Sequence, residues 1–226
     1  MKKLSKQAFK SELFEEFARI GKALSSSRRL ELLELLAQGE RAVEELAVET
    51  GMSIANTSRH LQVLRGAHLV DVRRQSTYVR YRLSNEQVLR LWLNLRKVGE
   101  MQLAEVERVV ESFFKDRECL AATTCEELLK QLEAGSVVVL DVRPEQEYRA
   151  GHIRGARSMP VEELIIRLKE IQKKKTIVAY CRGPYCVFAD DAVKTLRARG
   201  YQAVRLAEGF PDWKMRGFPV EHSTQI

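Results

Sequence analysis

Two cysteines five residues apart, Cys181 and Cys186 in the run CRGPYC, are the residues of this 226-residue chain best placed for chemistry. The run follows TIVAY, whose β-branched character suits a buried strand, and precedes VFADDAVKTLRARG, which has a helical pattern. A loop between strand and helix is where α/β sheets bind ligands. Backbone N–H groups at a helix start cradle anions and lower a thiol's pKa, and Arg182 adds positive charge. A thiolate at Cys181 can attack the outer sulfur of a thiosulfate-like donor, hold it as a persulfide and hand it on. Gly183, Pro184, Tyr185 and Val187 complete the expected donor-binding loop with Cys181, Arg182 and Cys186. Cys186 could resolve a modified Cys181 into a disulfide or polysulfide, provided the Cα atoms lie about 4.4 to 6.8 Å apart. Its other reading is a packing residue at the helix start. The remaining two cysteines, Cys119 and Cys125, read as incidental.

A second constellation is basic. The chain carries a net charge of +7. Residues 53–82 hold six arginines (Arg59, Arg65, Arg73, Arg74, Arg80, Arg82) against one acid, Asp71, which equals the whole surplus of residues 1–115. Such a stretch is an electrostatic footprint for an acidic partner, although a solvated charged face looks the same in composition.

The elements that must position these groups follow from periodicity. Phe9, Leu13, Phe17, Ile20 and Leu24 form a helical stripe, and a second helix runs from Ser25-Ser26-Ser27 through RRLELLELLA to Gly39. AVEELAVET, ended by Gly51, and a helix IANTSRHLQVLRGA capped by Ser53 make a helix-turn-helix. In the latter helix Ile54, Leu61 and Leu64 are the expected core positions, leaving Asn56, Thr57, Arg59 and His60 for another face. LVDVRR and YVRYRL alternate around Gln75-Ser76-Thr77 as a hairpin, or wing. A long helix over 85–114, with Val88, Leu91, Trp92, Leu95, Val98, Val106, Val109 and Phe113, is longer than one small domain needs and suits a dimer seam. Strands then alternate with helices, which implies a parallel sheet.

The run GMSIANTSRHLQVLRGAHLVDVRR followed by YVRYRL resembles the ArsR-type winged-helix regulators over about residues 10–110. The resemblance implies a homodimer joined through its first and last helices, reading the major groove of double-stranded operator DNA with Ser53, Asn56, Thr57, Ser58, Arg59 and His60. Wing arginines Arg73 and Arg74 would lie against phosphates. A packing or capping role is the other reading of His60. The third helix, RAVEELAVET, lacks the cysteine pair that many metal sensors of that family carry, so no metal site is expected there, and no cofactor is expected elsewhere.

DVRPEQEYRAGHIRGA, YCRGPYCVFADDAVKTLRARGY and LAEGFPDWKMRGFPV resemble the rhodanese sulfurtransferases over about residues 122–221. The resemblance implies that Asp141, Glu147, Gly151, His152 and Gly155 organise turns and buried hydrogen bonds, with Trp213 in the core. The loop departs from its family: Cys186 stands where Arg is common, and Pro184 removes an N–H. Both changes weaken oxyanion binding, which argues for weak or sensory turnover rather than fast sulfur transfer.

The expected architecture is therefore two domains: a mostly α winged helix-turn-helix with a β-hairpin wing over 1–115, a linker over 116–123, and an α/β rhodanese-like domain with a central parallel sheet over 124–226. The expected function is a DNA-binding transcriptional regulator, a repressor, that senses or relays reactive sulfur from a sulfane-sulfur donor or low-molecular-weight thiol. A sulfurtransferase tethered to a DNA-binding domain, and an arsenite- or metal-responsive thiol repressor, are the competing readings. Hydrophobic residues at 45% and charged residues at 31% argue against disorder. The start MKKLSKQAFK is followed by SELFEEF rather than an apolar run, so no export signal or membrane span is expected, and reduced thiols in the cytoplasm are the default.

Overall fold

The computed structural model describes residues 5–75, 78–114, 121–171 and 173–223, in which the chain divides into two units, Met1–Trp92 and Leu93–Ile226. In the first, Ser5 caps α1 (Lys6–Leu24) by accepting the Ala8 amide at 3.2 Å, and α2 (Ser27–Leu36) follows. A two-residue strand that the sequence did not announce, β1 (Arg41–Ala42), leads into α3 (Val43–Thr50). Gly51, at φ 63°, takes the left-handed conformation that ends α3 and turns the chain toward α4 (Ile54–Gly66). Ser53 caps α4, accepting the Asn56 amide at 3.3 Å. The wing is β2 (Val70–Gln75) antiparallel to β3 (Tyr78–Leu83), and β1 adds to the other edge of β3. Its expected turn residues Ser76 and Thr77 lie outside the described residues. Leu32, Leu33, Leu46, Leu61, Leu64 and Tyr81 close one core beneath these elements, a winged helix-turn-helix.

The expected single helix over 85–114 is two. α5 (Glu86–Gln102) starts where Asn85 Oδ1 accepts the Gln87 amide at 2.9 Å, and α6 (Ala104–Phe113) follows an extended Leu103 at φ −114°, ψ 97°. Gly99, in the last turn of α5, lowers the helix propensity of the segment where the break falls. Val88 and Leu89 are buried, whereas Val98, Val109 and Phe113 are exposed.

The second unit continues through β4 (Ala122–Thr123), α7 (Cys125–Glu133), β5 (Val137–Asp141), α8 (Glu145–Ala150), β6 (His152–Ile153), β7 (Arg157–Ser158), α9 (Leu164–Arg167), β8 (Thr176–Tyr180), α10 (Val187–Ala198), β9 (Ala203–Leu206), α11 (Phe210–Met215) and β10 (Val220–Glu221). Of the expected linker, residues 116–120 lie outside the described residues, and Ala122–Thr123 already belong to a strand. The five-stranded parallel sheet runs β4-β9-β8-β5-β7, with a separate antiparallel pair of β10 and β6. Side chains alternate between two buried layers: Leu140, Ile177 and Ala179 pack on one face, Val139, Val178 and Tyr180 on the other. This is why the strands read as unbroken apolar runs. Asp141 pairs with Tyr180, so β5 and β8 end together and their following loops share one edge of the sheet. Among the described residues no helix is long and apolar enough to cross a membrane.

Candidate functional site: a cysteine loop and a basic helix face

The loop after β8 begins with Cys181, which is buried and packs into the sheet's core with Ala189 and Val193 of α10. Cys186 is the residue immediately before α10. The two are joined as a disulfide, with Cα atoms 6.2 Å apart. The Cys186 amide donates to the Gly183 carbonyl at 3.2 Å, which tightens the loop, and the Phe210 amide donates to the Cys181 carbonyl at 3.1 Å. Gly209 is needed for that approach, because a Cβ there would collide with the Arg182 carbonyl and the Gly183 Cα. Sequence reasoning passed over Gly209, although a glycine opening GFPDW after a strand is the available signal.

Arg182 does not stand over the thiols as a lone charge. Its Nε and Nη2 donate to Glu147 Oε1 at 2.8 and 2.5 Å, and Glu147 is buried. The positive charge expected beside Cys181 is thus largely balanced by a carboxylate from α8. At the end of β5 Asp141 accepts from Arg143 Nε at 2.9 Å, Arg143 Nη2 at 2.5 Å and the Tyr180 hydroxyl at 2.5 Å. Burial, then the Asp141 charge, pushes the Tyr180 phenol well up, so it stays a neutral donor. His152 stacks on Tyr148 and its Nδ1 lies 2.8 Å from the Tyr148 carbonyl, a packed position. Gly155 takes φ 77°, and Trp213 is buried with its indole N–H donating to the Pro219 carbonyl at 2.9 Å. Tyr185, next to Cys186, donates its hydroxyl to Glu100 of α5 at 2.8 Å.

Cys125 is buried at the start of α7, its amide donating to Glu208 at 3.0 Å. Burial, then Glu208, raises its thiol far beyond the ordinary range. Cys119 lies outside the described residues. No group of three or more His, Cys, Asp or Glu side chains suited to a metal ion occurs among the described residues.

On α4 the expected base-reading residues separate. Ser53, Asn56 and Arg59 are exposed, and Ser58 and His60 are partly exposed. Thr57 is buried instead, and its hydroxyl donates to the Ser53 carbonyl at 3.0 Å, so it is not on the face with the others. It takes the core place expected for Ile54, which is 51% exposed at the first residue of the helix. The stripe is Thr57, Leu61, Leu64, a four-plus-three spacing that a short hydroxyl satisfies by bonding back one turn. Arg73 and Arg74 are exposed on β2. Among the described residues no hydrogen bond or ion pair engages the guanidinium of Arg59, Arg65, Arg73 or Arg74. Arg80 departs from this group, since its Nε lies 3.1 Å from Glu40, and Arg82 faces Asp71 at 3.7 Å.

Residues 26–72 match the bacterial regulatory protein, arsR family, and residues 124–216 match the rhodanese-like domain. The HTH-type transcriptional regulator Rv0324 of Mycobacterium tuberculosis is 44% identical over 217 residues, spanning 96% of this chain and 95% of the relative. A solution structure of the homodimeric winged helix-turn-helix DNA-binding domain of a possible ArsR-family regulator from Mycobacterium bovis is 44% identical, covering 46% of this chain and 94% of that one, with a TM-score of 0.42. The rhodanese-like domain of an Anabaena protein is 33% identical, covering 45% of this chain and 78% of that one, with a TM-score of 0.41.

Proposed function

We propose, since this chain belongs to the ArsR family of transcriptional regulators and carries a rhodanese-like domain, that it is a homodimeric repressor whose operator affinity depends on reactive sulfur at Cys181. Its DNA face is Ser53, Asn56, Ser58, Arg59 and His60 of α4 with Arg73 and Arg74 of the wing. The exposed guanidinium groups of Arg59, Arg73 and Arg74, which have no ion-pair partner among the described residues, support this, because phosphate contacts need charge that is still available. Dimerisation through α1 is supported by its exposed Phe9, Phe14 and Phe17, an apolar face that a single chain leaves in water.

The Cys181–Cys186 disulfide is the observation that carries the sensing half. The Cys181 thiolate attacks the outer sulfur of a hydropersulfide, RSSH; that sulfur keeps its proton and RS⁻ leaves. The Cys186 thiolate then attacks Cys181 Sγ, the persulfide S–S bond breaks, and HS⁻ departs as the disulfide closes. Two electrons pass from the thiol pair to the sulfane sulfur, which ends as sulfide. Arg182 and Glu147 hold the loop during both steps, and the charge they balance limits anion binding, which favours a single sensing event over rapid turnover.

The test pairs intact-mass measurement of reduced protein treated with glutathione hydropersulfide with binding to a duplex recovered by selection from a random library. Sulfide release, loss of both free thiols at 181 and 186, and a change in duplex affinity are expected. Equal affinity for loaded and reduced protein at one salt concentration rejects the sensor reading and leaves a tethered sulfurtransferase.

A further inference from the structure

Helix α5 has its first turn in one core and its last turn tied to the cysteine loop. Val88 packs with the winged-helix core, while Arg96 and Glu100, two turns and more further on, make polar contacts within the second unit. Glu100 Oε1 accepts the Tyr185 hydroxyl at 2.8 Å and lies 3.4 Å from Arg96 Nε. Arg96 Nη2 donates to Asp212 Oδ1 at 2.5 Å, both side chains being 12% exposed. Asp212 in turn accepts the Gly209 amide at 3.2 Å, and the next amide, Phe210, binds the Cys181 carbonyl. The chain of contacts therefore starts beside Cys186, crosses α5, and returns to Cys181.

We propose that Tyr185, Glu100, Arg96 and Asp212 form a relay through which the state of the Cys181–Cys186 pair sets the position of α5, and with it DNA affinity. This rests on the sensor reading above and names how its signal leaves the loop. With the disulfide closed, the six-residue loop is cross-linked and the Tyr185 hydroxyl is held on Glu100. On reduction Cys186 is released from Cys181, the loop gains freedom next to Tyr185, and holding the Glu100 hydrogen bond then costs conformational entropy. α5 thus has a tie in the oxidised form that the reduced form holds weakly or not at all. A difference in contacts between two states is what a ligand-dependent shift requires. Because α5 is one continuous helix from Glu86 to Gln102, a change in its last turns reaches Val88 and Leu89 through the helix itself. All four are positioning residues, acting through the cysteines without touching the donor's sulfur.

The experiment uses the full chain, reduced with a phosphine or closed with glutathione hydropersulfide, and measures Kd for the selected duplex in both states. Wild type should show a ratio of roughly 5- to 150-fold between states. Glu100→Ala, an exchange on a helix that alanine favours, should close its disulfide at the wild-type rate yet bind DNA in both states with the affinity of reduced wild type. Arg96→Met should shrink the ratio by loosening Glu100 and Asp212 together. Tyr185→Phe should shrink it as well, and Tyr185→Phe combined with Glu100→Ala should do no more than either alone. A Glu100→Ala protein that closes its disulfide and keeps the wild-type ratio overturns the relay while the sensor reading stands. A wild-type ratio near one overturns both.

Discussion

The Arg182 guanidinium, one residue beyond Cys181, is turned onto the buried carboxylate of Glu147, with its Nη2 2.5 Å from Oε1. The pair joins the cysteine loop to α8, and the guanidinium also lies 5.6 Å over the Phe188 ring. Arg182→Leu would leave the Glu147 carboxylate buried without this ion pair, a destabilisation of about 3 kcal/mol. A shift of the urea midpoint with an unchanged slope is the expected result. A variant as stable as wild type would mean that the pair contributes nothing net to the fold.

The DNA face proposed on α4 and the wing separates two kinds of substitution. Arg73→Glu with Arg74→Glu should weaken binding to every duplex and reduce the salt slope by about one for each phosphate that the wing no longer neutralises. Asn56→Ala and His60→Ala should change which bases are preferred. Thr57→Val should do neither: its hydroxyl bonds the Ser53 carbonyl inside the helix, so about 1 kcal/mol of stability is expected to go while base preference stays. Selection from a random library, repeated for each variant, reads these outcomes directly, and a changed preference in Thr57→Val would return that residue to the DNA face.

Much of this was legible in the sequence because each signal was local. The helix cap at Ser53, the Gly51 turn, and the apolar runs of β5 and β8 are properties of neighbouring residues. What stayed hidden depends on partners distant in the chain. Arg182 meets Glu147 thirty-five residues away, Tyr185 meets Glu100 eighty-five away, and Gly209 makes room for the Arg182 backbone. Ile54 and Thr57 were exchanged for a related reason: hydropathy favours isoleucine for a core position, but a threonine whose hydroxyl is satisfied by its own helix can be buried at little cost. The break at Leu103 has no proline to announce it.

Dimerisation through α1 predicts a change of mass. Phe14 and Phe17 meet edge to face with ring centroids 6.0 Å apart, 65% and 59% exposed, so association would remove two aromatic surfaces per chain from water. Each aromatic buried contributes about 1.5 to 3 kcal/mol. Phe14→Glu with Phe17→Glu should therefore yield monomers in sedimentation velocity, and the monomer should lose most of its affinity for a two-half-site duplex while its circular dichroism is unchanged. A variant that remains dimeric would move the interface off this face of α1.

The thiols give the sharpest ordering. In reduced protein Cys125 should resist alkylation across the range in which an ordinary cysteine, with its pKa of about 8.5, ionises, because burial and the Glu208 carboxylate both disfavour its thiolate. The sign follows from the direction of the shift: raising the pKa keeps the neutral thiol in place as pH climbs, so its labelling should begin only when the domain unfolds. Cys181 should label earlier than Cys125 in the same time course. Cys186→Ser should then accept one sulfur atom at Cys181 from glutathione hydropersulfide and keep it, since no second thiol at the start of α10 expels sulfide, whereas Cys181→Ser should take up none. Intact mass distinguishes the retained persulfide from the wild-type disulfide, and methylene-blue detection of sulfide gives an independent readout. If Cys186→Ser releases sulfide as fast as wild type, the resolving step belongs to another nucleophile, and the Cys181–Cys186 bridge is not the product that sulfur loading makes.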